Sequence, residues 1–297
     1  MKKILKNFSQ NPKNDILSGL TVALALVPEA VAFAFIAGID PLVGLYGAFI
    51  MGIITALFGG RPGMISGATG AMAVVMIHMI QKGNEVGESL LNPVDNLGLH
   101  WLFITLLIVG LIQVLAGVFK LGKFVRLIPH SVMMGFVNGL AIVIFLSQLG
   151  LFQKSTINGA QWISGAELYT MLALIGTTML IMYYLPKITT KVPAALVAIV
   201  SVALITVLGN IDVSTVGSFI SDGGGEGLKG SLPVFQGQIF ELFYTIDGYW
   251  DLIISTAVLL AAVGLIESLM TLNLVDEITQ TRGSGNRECL AQGGANF

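Results

Sequence analysis

Charged side chains and cysteines are scarce in this sequence of 297 residues. Only 11% of the residues are charged, whereas 55% are hydrophobic, and the mean hydropathy is +0.85. Soluble domains carry about a quarter charged residues, so the composition excludes that class and indicates an integral membrane protein. The single cysteine, Cys289, excludes an internal disulfide and a metal site built from cysteines.

Motifs of ATP-driven pumps and of common hydrolases are also missing. The sequence contains no G-x-x-x-x-G-K-[ST] loop, no H-E-x-x-H and no G-x-S-x-G. We therefore expect neither ATP coupling nor an enzyme, and no cofactor besides a coupling ion. We expect the lipid bilayer as a partner, and no nucleic acid.

Hydrophobic runs long enough to cross a bilayer, about 20 residues each, predict seven full membrane helices. They lie near 16–37, 42–58, 101–119, 130–150, 168–185, 192–209 and 250–275. A shorter run at 70–81 predicts a half helix, which follows a non-helical approach from Gly59 to Thr69. Irregular outer connections are predicted at 81–100 and 210–248. The predicted fold class is an all-α polytopic membrane protein with a broken third helix.

The distribution of lysine and arginine predicts the orientation. If the basic segment 1–15 is cytoplasmic, twelve of the fifteen Lys and Arg residues lie on the cytoplasmic side, as the positive-inside rule requires. This holds only if the segment 70–81 crosses the membrane. We expect a multi-pass protein of a bacterial inner membrane with a cytoplasmic N-terminus.

The stretch from Gly63 to Val75 places small and hydroxyl-bearing residues before a short hydrophobic run. A helix that begins inside a membrane directs free N–H groups and the positive end of its dipole at whatever lies in front of it, which favours an anion. The predicted anion-binding residues here are Ser66, Gly67, Ala68, Thr69 and Gly70. Alternatively, Ser66 and Thr69 are ordinary helix caps, and the backbone argument still holds.

Glu29 and Glu267 are the two acidic residues that lie neither in a loop nor at a helix end but deep within predicted spans, where ionisable groups are costly and usually functional. Pro28 precedes Glu29 and frees a backbone carbonyl that could serve the site. Alternatively, Pro28 only kinks a structural helix. Glu267 shares a helix face with Thr271. A carboxylate and a hydroxyl can bind a small cation or form a proton site; the alternative is a carboxyl hydrogen-bonded for packing alone.

Three stretches make the sequence resemble the sulfate permease (SulP) family of anion transporters, from about Asp15 to the end of the chain. They are GLTVALALVPEAVAFAFIAGIDPLVGLYGAFI, ALFGGRPGMISGATGAMAVV and IESLMTLNLVDEITQTRGSGNRECLAQGGANF. The resemblance implies two inverted repeats of seven segments, core and gate domains, and usually a cytoplasmic STAS domain. It also implies an anion site between the N-termini of the third and tenth segments, lined by the first and the eighth.

On this chain, the resemblance implies three contributions to the site. The third segment begins at Ser66 to Gly70, and the first contributes Pro28, Glu29, Ala30 and Phe33. The eighth contributes Glu267, Ser268 and Thr271 as the coupling-ion site, with sodium at Glu267 and Thr271 if sodium is the ion. Glu267 stands where sodium-coupled members tend to have Asp, so the coupling ion stays open between sodium and a proton.

The chain reaches only the start of the expected ninth segment. We therefore expect 16–297 to be a partial SulP-type transmembrane domain, with the second repeat and the STAS domain incomplete or absent, and the chain alone not to transport. For the full-length protein we expect symport of a small inorganic anion, bicarbonate or sulfate, with Na⁺ or H⁺, and allow a homodimer. The alternatives are a proton-coupled dicarboxylate carrier of the same family, an anion channel, and a membrane sensor or scaffold.

Overall fold

The computed structural model describes residues 12–123, 130–149, 152–156, 159–189, 194–213 and 242–297, together with Val192 and Pro233. The helices are α1 (Pro12–Ala37), α2 (Pro41–Phe58), α3 (Gly70–Ser89), α4 (Leu97–Val118), α5 (His130–Leu149), α6 (Ala166–Ile188), α7 (Ala194–Leu208), α8 (Trp250–Thr279) and α9 (Gly285–Ala295). Strands β1 (Gln153–Thr156) and β2 (Gly159–Trp162) form an antiparallel hairpin, and Phe243–Ile246 is a short 3₁₀ helix.

Local sequence explains where several helices begin and end. Asp40 caps α2, because its carboxylate accepts a hydrogen bond from the Leu42 N–H at 2.7 Å, and Pro41 occupies the first turn, where no N–H is needed. Gly38 follows α1 with a φ of +73°, a conformation that favours glycine. Pro28 lies inside α1, and the helix continues through it.

The chain divides into two compact units. The first contains α1 up to Glu29, the hairpin, α6 and α7; the second contains α1 from Ala30, α2 to α4, α5 up to Gln148, α8 and α9. In the first unit α6 packs against α7. In the second unit α4 is central and packs against α3, α8 and α9, and α9 also packs against α2.

Small residues let α3 and α4 approach closely in the second unit. A Cβ added at Gly98 would lie 2.1 Å from the Ile80 carbonyl oxygen, and one at Gly83 would lie 2.5 Å from the Gly98 Cα. Behind this crossing lies a buried hydrophobic cluster that includes Met79 and Trp101. The Trp101 indole N–H donates to the Thr245 hydroxyl at 3.1 Å. The core therefore holds the start of α8 against α3 and α4.

Within the part of the chain that the structure describes, five helices are long and apolar enough to cross a membrane: α1 from Asp15, α2, α4, α6 and α8. The shorter α7 is also apolar, and α5 is a helix of 20 residues. Each predicted hydrophobic run is thus helical where the structure describes it, and the chain is a multi-pass membrane protein. Among the described residues, the small hairpin between α5 and α6 is a departure from the expected all-helical fold.

The predicted end of the third segment was wrong. α3 begins at Gly70 as expected but continues to Ser89, so the irregular connection predicted from residue 81 is shorter. Gly83 and Gly87 pack directly against the start of α4, and the side-chain oxygen Asn84 Oδ1 accepts a hydrogen bond from the Gly98 N–H at 2.9 Å. Packing therefore keeps a polar sequence helical. Most of the predicted outer connection at 210–248 lies outside the described residues.

Candidate functional site

An irregular segment, residues 59–69, separates α2 from α3 and is called the break segment below. Gly63 within it has a φ of +83°, and no helix or strand is assigned between Phe58 and Gly70. Thr69 is extended, with φ −127° and ψ 143°, and the first turn of α3 closes when the Ala73 N–H donates to the Thr69 carbonyl at 3.1 Å. The broken third segment predicted from the sequence is therefore present.

The N-terminus of α3 has no side-chain cap. Thr69 is the N-cap residue, yet its hydroxyl makes no capping hydrogen bond. The first N–H groups of any helix have no partner within the helix, and here the residue that usually satisfies one of them does not. These amides, together with the helix dipole, favour a negatively charged group in front of Gly70.

Thr69 and Glu267 bring two buried polar atoms together in the second unit. Thr69 Oγ1 and Glu267 Oε2 are both buried and have no hydrogen-bond partner within the part of the chain that the structure describes. The Thr69 hydroxyl is nevertheless close enough to interact with the Glu267 carboxylate. Buried polar atoms are rarely left unpaired, so the arrangement suits a small ion or water that completes their hydrogen bonds or coordination.

The other two residues of the predicted coupling site are less enclosed. The Thr271 hydroxyl donates to the Glu267 carbonyl oxygen at 3.0 Å, and its side chain is exposed. Ser268 is half-buried. Among the described residues, no group of three or more His, Cys, Asp or Glu side chains could hold a metal ion.

The predicted residues of α1 fall into different units. Pro28 and Glu29 belong to the first unit, and the Glu29 side chain is exposed. Ala30 and Phe33 belong to the second, where Ala30 is 1% exposed and Phe33 packs against the hydrophobic core. Gly44 of α2 permits this packing, because a Cβ there would lie 3.0 Å from the Ala30 carbonyl oxygen.

Ser66 has a partner that the sequence did not predict. Gln292 of α9 donates from Nε2 to Ser66 Oγ at 2.7 Å and to Glu288 Oε1 at 3.0 Å. Glu288 Oε2 accepts from the Gly60 N–H at 2.9 Å, although Glu288 is only 2% exposed. The four-residue spacing of Glu288 and Gln292 places both on one face of a helix. This spacing is the sequence feature from which a shared polar face could have been predicted.

A second set of polar contacts, centred on Arg61, fixes the break segment to the end of α8. The Arg61 guanidinium forms an ion pair with Asp276 and hydrogen bonds with Thr279 and with the Thr281 hydroxyl, the last at 2.6 Å. Asp276 Oδ1 also accepts from the Gly283 N–H at 2.8 Å. From the sequence, Arg61 was used only to predict the orientation of the chain. Its partners lie more than 200 residues away in the sequence, so no local pattern predicts these contacts.

A cavity of about 430 Å³ lies elsewhere in the second unit, lined by residues that include Lys123, Asn273 and Asn286. Asn286 Oδ1, at this cavity, is also buried and has no hydrogen-bond partner among the described residues. Neither Thr69 nor Glu267 lines the cavity. The cavity is therefore separate from the predicted anion and cation sites.

The model of the sulfate permease family matches residues 13–297. The chain is 43% identical over 287 residues to the putative sulfate transporter YbaR of Bacillus subtilis (strain 168), across 97% of this chain and 53% of the relative. It is 32% identical over 298 residues to the bicarbonate transporter BicA of Synechocystis sp. (strain ATCC 27184 / PCC 6803 / Kazusa), across 96% and 49%. The chain thus spans about half the length of these curated relatives.

Solved structures show the same fold. The transmembrane domain of a cyanobacterium bicarbonate transporter BicA matches with a TM-score of 0.74 and 30% identity, over 97% of this chain and 71% of that chain. Murine Slc26a9, an anion transporter solved in the inward-facing state, matches with a TM-score of 0.62 and 18% identity, over 95% and 49%. These likenesses confirm the fold class predicted from the sequence.

Proposed function

Since this chain belongs to the sulfate permease family, as its resemblance predicted, we propose that it forms part of a secondary active transporter for a small inorganic anion. Bicarbonate and sulfate are the two candidates, because the relatives are described as a putative sulfate transporter and a bicarbonate transporter. The proposed driving force is symport with Na⁺ or H⁺, and the proposed setting is a bacterial inner membrane with the N-terminus in the cytoplasm.

The observation that carries this proposal is the pairing of Thr69 with Glu267. An uncapped helix N-terminus favours an anion, whereas a buried carboxylate favours a cation or a proton. The Thr69 hydroxyl is close enough to interact with the Glu267 carboxylate, and within the described part of the chain the buried atoms Thr69 Oγ1 and Glu267 Oε2 have no hydrogen-bond partner. A cation bound at Glu267 would offset the repulsion between this carboxylate and an incoming anion, so that each ion favours the binding of the other.

The proposed anion contacts are the backbone N–H groups at the start of α3 and the side chains of Ser66 and Thr69. Gly67, Ala68 and Gly70 allow the anion to approach the backbone. Ala30 and Phe33 are proposed to line the same site. That Pro28 and Glu29 take part in anion binding stays a prediction. We also propose that the protein can form a homodimer.

The test measures uptake of labelled bicarbonate and sulfate into vesicles that contain the complete gene product, with sodium and pH gradients imposed separately. Saturable uptake that requires one of the gradients supports symport and identifies the coupling ion. Uptake that is linear in concentration and indifferent to both gradients means a channel. No flux of either anion would contradict the proposed function.

Replacement of Glu267 by Gln tests the coupling site. The substitution keeps the size of the side chain but removes its charge, so we expect gradient-driven uptake to be lost while the protein remains folded. Glu277→Gln is the matched control, since Glu277 lies on the same helix with an exposed side chain, and it should accumulate the anion like the wild type. Accumulation by Glu267→Gln close to the wild-type level would remove Glu267 from the mechanism.

A further inference from the structure

Glu288 and Gln292 of α9 hold both ends of the break segment through one chain of hydrogen bonds. Glu288 Oε2 accepts from the Gly60 N–H at 2.9 Å, near its beginning. Gln292 donates from Nε2 to Glu288 Oε1 at 3.0 Å and to Ser66 Oγ at 2.7 Å, three residues before the N-cap of α3. Both side chains are buried.

The donors and acceptors in these hydrogen bonds follow from the chemistry of the groups that form them. Both described partners of the Glu288 carboxylate are N–H donors, so each of its oxygens acts as an acceptor. Gln292 must therefore present its amide nitrogen, and not its carbonyl oxygen, to Glu288. The nitrogen carries two hydrogens: one goes to Glu288, and the other goes to Ser66. Ser66 Oγ is thereby an acceptor toward Gln292.

A hydroxyl that accepts one hydrogen bond keeps its own hydrogen for another partner. With Gln292 donating to it, the Ser66 O–H is left to donate, which is the role that an anion requires. If the Gln292 amide were reversed, the hydroxyl would have to donate to Gln292 and would present lone pairs elsewhere. An anion would meet a repulsive group in place of a donor.

We propose that Glu288 and Gln292 are positioning residues that set the direction of the Ser66 hydroxyl and so make it a donor to the transported anion. This inference rests on the proposed function. Neither side chain need touch the anion; Glu288 acts through Gln292, and Gln292 acts through Ser66. The inference adds α9 to the elements that determine anion affinity.

The substitution Glu288→Gln reverses the direction of these hydrogen bonds with almost no change in the shape of the side chain. Its carbonyl oxygen can still accept from the Gly60 N–H, so its amide nitrogen must face Gln292. Gln292 then has to turn its carbonyl oxygen toward both Gln at 288 and Ser66, and the Ser66 hydroxyl donates to it. The exchange Glu288→Gln with Gln292→Glu forces the same reversal and keeps the charge of the pair, which provides a second variant if the first does not fold.

The experiment compares anion uptake by the complete gene product and its variants in vesicles, after gel filtration confirms that each is folded. We expect Glu288→Gln and Ser66→Ala each to raise KM for the anion about 10-fold, the size expected when a hydrogen bond to a charged group is lost. Because both substitutions act through the Ser66 hydroxyl, KM of the double variant should not exceed KM of either single variant. Glu277→Gln should leave KM unchanged.

The outcomes separate this inference from the proposed function. If the wild type transports the anion but Glu288→Gln, or the charge-preserving exchange, leaves KM unchanged, the positioning role is wrong and the transport function stands. The same holds if the effects of Glu288→Gln and Ser66→Ala multiply in the double variant, because Glu288 would then act by another route. A wild type that moves neither sulfate nor bicarbonate overturns both.

Discussion

At the scale of single residues, the candidate site is defined by polar atoms that lack partners. The sequence identified Thr69 because it stands before a hydrophobic run, and Glu267 because it is an acidic residue inside a predicted span. Both inferences depend on neighbouring residues alone. The bond between Gln292 and Ser66 could not be predicted in this way, since it joins positions far apart in the chain.

Thr69 provides a direct test at this scale. The substitution Thr69→Val keeps the shape and removes a hydroxyl that makes no capping bond. Loss of a working cap costs about 1 kcal/mol, but removal of a buried hydroxyl that forms no hydrogen bond within the described residues costs little. We expect the thermal unfolding temperature to stay the same or rise slightly, while KM for the anion rises several-fold.

Ser284→Ala is the matched control for Thr69→Val. Ser284 is the N-cap of α9 and accepts from the Arg287 N–H at 3.4 Å, so its loss should lower the unfolding temperature and leave KM less affected. A clear loss of stability in Thr69→Val would mean that the hydroxyl has a structural partner, and an unchanged KM would mean that it does not contact the anion.

At the scale of elements, the break segment is held from two sides. Glu288 and Gln292 of α9 bind its backbone at Gly60 and its side chain at Ser66. Arg61 binds the end of α8, the helix that carries Glu267. The break segment therefore connects the helix that begins at the proposed anion site with the helix that carries the proposed coupling carboxylate.

The start of α3 could be predicted from the sequence, but its end could not. Small residues followed by a hydrophobic run indicate a helix start, and the structure places it at Gly70. The end at Ser89 depends on the close approach of Gly83 and Gly87 to α4. Hydrophobicity along the chain does not report such contacts, so a polar helical turn was interpreted as a loop.

Arg61 is the residue whose loss should weaken this arrangement most. Its side chain is 5% exposed and that of Asp276 is 15% exposed. Removal of one member of a buried ion pair leaves the other charge unpaired and costs about 3–5 kcal/mol. We expect Arg61→Ala to lower the unfolding temperature in detergent by several degrees, whereas Arg282→Ala, at an exposed position, should leave it unchanged.

The double variant Arg61→Ala with Asp276→Ala tests the cause of this loss. Because the unpaired carboxylate is gone, the double variant should lose less stability than the sum of the two single variants. Equal effects of Arg61→Ala and Arg282→Ala would show that the ion pair does not stabilise the fold.

At the scale of the whole molecule, hydrophobic runs and charge placement predicted the membrane class and the fold class. Both depend on the bilayer, which requires long apolar helices. The division into two units was not predicted from the sequence, and the core and gate domains that the family resemblance implies stay a prediction. It cannot be deduced from hydropathy, because α1 contributes residues to both units.

The orientation of the chain in the membrane can be tested by thiol labelling, and Cys289 makes the test simple. This cysteine is 0% exposed, so a thiol introduced elsewhere should react with a maleimide against a low background.

Leu91, just after α3, and Arg282, just after α8, are both exposed. With a cytoplasmic N-terminus and α3 as a crossing, Leu91→Cys should react with an impermeant maleimide in intact cells, and Arg282→Cys only after permeabilisation. The opposite pattern would contradict the expected topology, because it requires either an N-terminus outside the cell or an α3 that does not cross the membrane. In either case twelve of the fifteen basic residues would no longer lie on the cytoplasmic side, and the positive-inside rule would fail for this chain.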